Sequence, residues 1–98
     1  MTEQQADNII YVGAKRFMNY VTGVVMQFTN ENNAEVIVMA RGKHISKAVD
    51  IAQVAEKKFL NGQIHIENVK ISSEEYENKE GKQVRVSTIA IILKRNTE

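Results

Sequence analysis

Four side chains able to hold an anion, Arg41, Lys43, His44 and Lys47, fall within seven residues of the stretch MARGKHISKAVD (39–50). A smaller basic pair, Lys15–Arg16, stands in VGAKRF (12–17). Guanidinium and ammonium groups make charge-assisted hydrogen bonds to carboxylates and phosphates, so the chemistry on offer is anion binding. Hydrolysis has no comparable support. His44 and His65 are the only histidines, far apart in sequence and without an H-E-x-x-H or paired-carboxylate frame. A nucleotide-binding loop of the form G-x-x-x-x-G-K-[ST] would need glycine and Ser or Thr where Ile37 and His44 stand, and no G-x-G-x-x-G occurs. Cysteine is absent, which excludes thiolate metal sites and leaves the redox compartment open. No catalytic residue, metal site or cofactor is assigned.

Both basic clusters stand where a strand gives way to a helix. Helix N-termini already carry about half a positive charge from unpaired N–H groups, so cations there are mildly unfavourable in the free protein. An anion docked between them reverses the sign, because dipole, N–H groups and side-chain cations then act together. Solvated surface charge is the plain alternative for either cluster alone. The organisation of the chain decides how the two combine.

At 98 residues, 43% apolar and 26% charged, the chain is one small domain of ordinary soluble composition. Net charge is only +1, so affinity for a polyanion must come from local clustering. No apolar run approaches the ~20 residues that span a bilayer. The start, MTEQQADN, is polar with two acids, unlike a signal or transit peptide, and the expected location is the cytoplasm.

Residues 1–7 read as a flexible tail and residues 8–95 as a single domain. NIIYVG predicts a short buried strand ended by Gly13. Phe17, Tyr20, Val21, Val24, Val25 and Phe28 share one side of a 3.6-residue period, a helix that Gly23 weakens by about 1 kcal/mol relative to Ala and NENN ends. AEVIVMA is a near-continuous apolar strand, expected to be buried on both faces. After Gly42 a second helix runs from Ile45, with Ile45, Ala48, Val49, Ala52, Ala55 and Phe59 on its apolar face and Ile51 and Val54 off it. LNG stops it, with Gly62 available for a left-handed cap. QIHIENVKIS and QVRVSTIAIILK flank SEEYENKEGK, a β-hairpin with a long polar tip. Each run changes phase once, which predicts a bulge or strong twist where the hairpin leaves the body.

The order is β-α-β-α-β-β: a compact two-layer α/β domain with a mixed four-stranded sheet and an extended hairpin arm. Right-handed crossovers place both helix N-termini on the same edge of the sheet. Lys15–Arg16 and Arg41–Lys43 therefore occupy equivalent places, and two adjacent anion sites suit a polyphosphate backbone better than an isolated small ligand. Leftover apolar surface, Ile51 and Val54 included, suggests a dimer.

VGAKRFMNYV, ARGKHISKAVD, KKFL and GKQVRVSTIAI, in order and with matching spacing over residues 9–94, resemble the Alba family of archaeal chromatin proteins. The resemblance implies a fold similar to the C-terminal domain of a bacterial translation initiation factor. It also implies a homodimer that lays basic loops along the DNA backbone and two hairpin arms along the duplex. Relatives bind RNA, and eukaryotic cousins sit in ribonuclease P complexes. Carried over by position, Lys15 lies in the family's first basic loop, Arg41 and Lys43 in the second, Lys47 on the following helical turn and Arg85 on the arm. With Arg16 these are the candidate nucleic-acid contacts. Phe59 matches an aromatic position used between neighbouring dimers on DNA, and it also has a core-packing reading.

Departures from the family pattern matter too. The first loop often reads glycine, two lysines and proline, the first lysine being an acetylation target. Here Ala14 replaces that lysine and Arg16 the proline, so Lys15 is the loop's one candidate for modification. On the arm, Lys70, Lys79, Lys82 and Arg85 are cancelled by Glu74, Glu75, Glu77 and Glu80, and Tyr76 near the tip is a candidate for base stacking. The expected function is non-enzymatic, largely sequence-independent binding of double-stranded DNA that helps compact the chromosome. The alternative is an RNA-binding module or accessory subunit of a ribonucleoprotein.

Overall fold

The computed structural model describes residues 8–97; the tail expected over residues 1–7 lies outside the described residues. The elements follow the expected order: β1 (Ile9–Tyr11), α1 (Phe17–Thr29), β2 (Glu35–Arg41), α2 (Ile45–Val54), β3 (Ile64–Glu77) and β4 (Gln83–Arg95). Lateral strand order is β1-β2-β4-β3, with β1 parallel to β2 and the other pairs antiparallel.

α1 forms as its periodicity predicts, burying Tyr20, Val21, Val24 and Phe28. It ends where Asn32 takes a left-handed φ of 57°, a conformation that Asn tolerates better than most residues. Arg95 closes this corner: it donates to the carbonyls of Phe28 and Asn33 and lies over the Phe28 ring, 5.6 Å from its centre.

Both helices pack on one face of the sheet. On β2, Val36, Val38 and Ala40 are buried beneath them, while Ile37 and Met39 on the opposite face are only half-buried. Burial of β2 on both faces is therefore not observed; its apolar run is continuous because both faces are apolar, and only one is covered within the chain. β1 likewise is an edge strand and not a buried one. Ile10 packs on the core, but Tyr11 is 68% exposed.

The apolar face of α2 is also rotated from the one expected. Ala48, Ile51, Ala52 and Ala55 are buried, Ile51 completely, and Val54 packs against the core. Val49 and Phe59 are exposed. Three alanines let the helix sit close to the sheet with Ile51 as the one large side chain between them, and that choice of face leaves Val49 and Phe59 on the outside. A wide turn, Ala55–Phe59, completes the rotation: the Leu60 N–H donates to the Ala55 carbonyl at 2.9 Å, one residue farther back than an α-helical bond. Leu60 enters the core and Phe59 points out. Gly62, at φ 79°, then turns the chain into β3.

The arm is longer and more regular than its composition suggests. Pairing continues to Glu77↔Gln83, so the polar segment from Ser73 is mostly strand and the tip is only residues 78–82. Within the tip, the Asn78 carboxamide oxygen accepts from the N–H groups of Glu80 and Lys82, and Gly81 N–H donates to the Asn78 carbonyl. The expected bulge occurs in β3 alone, between Ile66 and Asn68. Glu67 is the extra residue, which is why Ile64 and Ile66 share a face with Val69 and Ile71. β4 pairs without interruption; its phase change arises because Val84 and Val86 lie on the open face of the sheet and Ile89, Ile91 and Leu93 on the helix-covered one. Beyond the helices nothing covers the arm, and Ile71 is 80% exposed. The molecule measures 52 × 32 × 24 Å in consequence.

His65 pins the bulge. Its Nε2 meets the Glu67 carboxylate at 2.8 Å and its Nδ1 meets the Asn96 side-chain oxygen, while the Asn96 amide donates to the Gly62 carbonyl. Both ring nitrogens face acceptors, which only the imidazolium satisfies. The hydrogen bond to Glu67, then that to Asn96, raises the His65 pKa, and the bond to His65 lowers that of Glu67.

Packing and the bulge are open to direct measurement. Ile51→Ala should cost about 2–5 kcal/mol in urea unfolding, whereas Val49→Ala should stay within about 0.5 kcal/mol; similar losses at both sites would mean that the burial is misassigned. For the His65–Glu67 pair, the imidazole's contribution is full below its unfolded pKa and lost as pH rises through the higher folded value. The carboxylate's is lost as pH falls through its depressed one, so the junction is firmest between the two. In an NMR titration His65 should titrate above a free histidine and drop back in Glu67→Gln.

Candidate nucleic-acid interface

Parallel pairing of β1 with β2 brings the chain out of both strands at one end of the sheet, so the two basic turns are neighbours there. The Val12 N–H donates to the Met39 carbonyl at 2.8 Å, which places Gly13 beside the end of β2. β3 and β4 run past the same end: Arg41 pairs with Thr88, and Thr88 with Ser72, leaving everything beyond Ser73 to rise as the arm. Lys15, Arg16, Arg41, Lys43 and Lys47 thus gather at the foot of the arm, and Arg85 stands on it.

The first turn is organised by two side chains. Tyr20 is buried, and its hydroxyl accepts from the Gly13 N–H at 2.9 Å and the Lys15 N–H at 3.1 Å. Lys47 reaches across from the first turn of α2 and donates to the carbonyls of Gly13, at 2.8 Å, and Lys15. Its ammonium lies 5.1 Å from the centre of the Tyr20 ring, within cation–π range. These contacts alter the expected picture in two ways. The N–H groups of Gly13 and Lys15 are already engaged by Tyr20, so those two backbone donors are taken before any anion arrives. Lys47 uses two of its three donors on backbone, which makes it chiefly a positioning residue that fastens one basic turn to the other while adding charge. Lys15 and Arg16 project outward, exposed and without an ion-pair partner among the described residues.

In the second turn, a single 3₁₀ turn (Gly42–His44) precedes α2. Gly42 takes φ 55°, which a residue with a Cβ adopts only under strain. Among the described residues no side-chain hydrogen bond caps the N-terminus of this turn or of either helix. Lys43 is exposed. Arg41 is held by Glu74 of the arm at 3.0 Å, and Arg85 by Glu75 at 2.9 Å. All four side chains are more than half exposed, so each pair contributes only about 0–1 kcal/mol and is easily opened. Phe59 sits apart: roughly 20 Å of helix at 1.5 Å per residue separates it from the turns. It is 49% exposed, which sets aside its core-packing reading.

Sequence reasoning misses Tyr20, Glu74 and Tyr11, whose exposed ring flanks the second turn. Tyr20 reads as an ordinary core position, since nothing in a helical period reveals where a hydroxyl ends. Among the described residues no three metal-ligating side chains cluster, and no helix is long and apolar enough to cross a membrane.

The Alba family model matches residues 8–73. A protein named DNA/RNA-binding protein Alba from Methanococcus maripaludis is 47% identical over 87 residues, covering 89% of this chain and 97% of the relative. Its namesake from Methanocella arvoryzae is 47% identical over 89 residues, 91% of each chain. Among solved structures, Alba from Thermoplasma volcanium superposes with a TM-score of 0.81 at 44% identity, covering 90% of this chain and all of that one. ALBA1 from Trypanosoma brucei, at 18% identity and a TM-score of 0.68 over 94% of this chain and 72% of its own, shares the fold.

The clasp between the turns is testable. Lys47→Met should lower stability by about 1.5–3 kcal/mol, the range for hydrogen bonds to a charged group, and speed hydrogen exchange at the Gly13 and Lys15 amides. An unchanged unfolding midpoint would mean that water serves those carbonyls equally well.

Proposed function

The chain belongs to the Alba family, and from that premise we propose that it is a non-enzymatic, largely sequence-independent double-stranded DNA-binding protein that helps compact the chromosome. The observation that carries this reading is the assembly of two basic turns at one end of the sheet, fastened together by Lys47. Lys15, Arg16 and Lys43 are the phosphate contacts ready in the free protein. Arg41 and Arg85 join them when phosphate displaces Glu74 and Glu75. Contacts of this kind position a protein on the backbone without reading bases. The names of the archaeal relatives support nucleic-acid binding.

The proposed working unit is a homodimer on cytoplasmic chromosomal DNA. Support for dimerisation comes from the exposed apolar side chains Val49, Val69 and Ile71, and not from Ile51 and Val54, which belong to the core. Phe59, exposed at the far end of α2, suits a contact between neighbouring dimers. Lys15, exposed in the first turn, is the loop's one lysine available for acetylation.

RNA is the second reading. It is favoured by the nearly neutral arm and by Tyr76, an exposed aromatic close to the tip; recognition of unpaired bases depends less on bulk charge. An accessory place in a ribonucleoprotein would follow.

For duplex DNA, a dimer covering about six phosphates should lose roughly a thousandfold in affinity between about 50 and 200 mM salt. Arg41→Ala with Lys43→Ala should weaken all duplexes alike and flatten the salt slope by about one unit per lost phosphate contact. A titration in which the double variant binds as tightly as the parent would remove the second turn from the interface.

A further inference from the structure

A pocket of about 360 Å³ opens at the foot of the arm, between the second basic turn and the open face of the sheet. Its apolar side is Tyr11 and Met39, and its polar rim is Arg41, His44, Glu74 and Thr88. The volume lies at the small end of the range for ligand sites, roughly 300–1,000 Å³. Tyr11 is conspicuous here. It stands on a strand yet is 68% exposed, and, unlike Tyr20, it makes no side-chain hydrogen bond among the described residues.

We propose that this pocket takes an unpaired nucleobase from an RNA strand, so that the protein grips single-stranded RNA by a base as well as by phosphates. An aromatic ring and a thioether on one side suit a flat heterocycle by stacking and dispersion. The rim supplies what such a ring needs at its edges: donors from Arg41 and acceptors from Glu74 and Thr88. Lys43 stands next to the rim, where the same strand's phosphates would lie. A duplex cannot fill the pocket, because its bases are stacked and paired inside. Glu74 selects further. A carboxylate at the mouth repels phosphate; base N–H groups are common to single strands of either kind, and only an RNA strand adds the 2′-hydroxyl as a donor on its backbone. Binding therefore recruits the Arg41–Glu74 pair as it stands, while duplex binding must break it.

The inference rests on the nucleic-acid reading of the basic turns, and its test separates the two. Anisotropy titrations at one salt concentration would compare the full chain, Tyr11→Ala and Tyr11→Phe on a short unstructured RNA, on DNA of the same sequence as a single strand, and on duplex DNA. Tyr11→Ala should weaken the RNA complex about tenfold, the scale of one stacked base, and change duplex binding less than twofold. Tyr11→Phe should retain RNA binding, and single-stranded DNA should bind the parent more weakly than RNA. In the parent protein, adding RNA should shift the Tyr11 ring protons upfield, a readout independent of how any variant folds. Equal losses on RNA and duplex, no loss on RNA, single-stranded DNA matching RNA, or unmoved ring protons would each overturn the pocket. Duplex binding absent from the parent would instead count against the phosphate cradle, and the RNA titrations would still decide the pocket.

Discussion

The ammonium of Lys47, bonded to the carbonyls of Gly13 and Lys15 above the ring of Tyr20, holds the basic end of the molecule in one piece. The sheet brings the two turns to the same end, but strand pairing alone leaves them as separate loops. Lys47 ties α2 to the loop before α1, and Tyr20 fastens that loop from beneath through two N–H groups. A cation suits this position doubly, since it satisfies carbonyls that would otherwise need water and raises the potential around Lys15 and Arg16. Organisation and charge come from one side chain.

The carboxylates of the arm act in the opposite sense. Glu74 and Glu75 pair with Arg41 and Arg85, which keeps one guanidinium from projecting as unpaired charge at the second turn and the other from doing so on the arm. Such exposed pairs are weak, and on the proposed reading each exchange with a polyanion releases a carboxylate nearby. A chain of net charge +1 thus sets part of its own basic end against carboxylates of its own arm.

Element order, the face of α1, the turn at Gly62 and the bulge were legible in the sequence, because periodicity and glycine placement are local properties. So were the positions of the basic turns, which follow from crossover handedness. The orientation of α2 was not. Its large residues, Val49 and Phe59, attract the eye as a core face, but how closely the helix approaches the sheet decides which face fits, and the wide turn at Ala55–Phe59 leaves no mark in the pattern. The tip is shorter than its composition implies because Ser, Glu and Lys in an uncovered strand look the same as a loop. Glu74 could not be connected to Arg41 without knowing the register of the hairpin, and the reach of the Lys47 and Tyr20 side chains is a tertiary fact.

The five-residue turn at the end of the arm satisfies its hydrogen bonds internally, through Asn78 and Gly81. Among the described residues no hydrogen bond or ion pair ties it to the body, so it works as a detachable cassette. Adding two residues to each strand just below it keeps the alternation of bonded pairs and of faces, lengthens the reach by about 7 Å and disturbs neither the bulge nor the packing of the helices. Span along a ligand can therefore drift during evolution, or be set by an engineer, in small paired increments while the remainder of the sequence stays as it is.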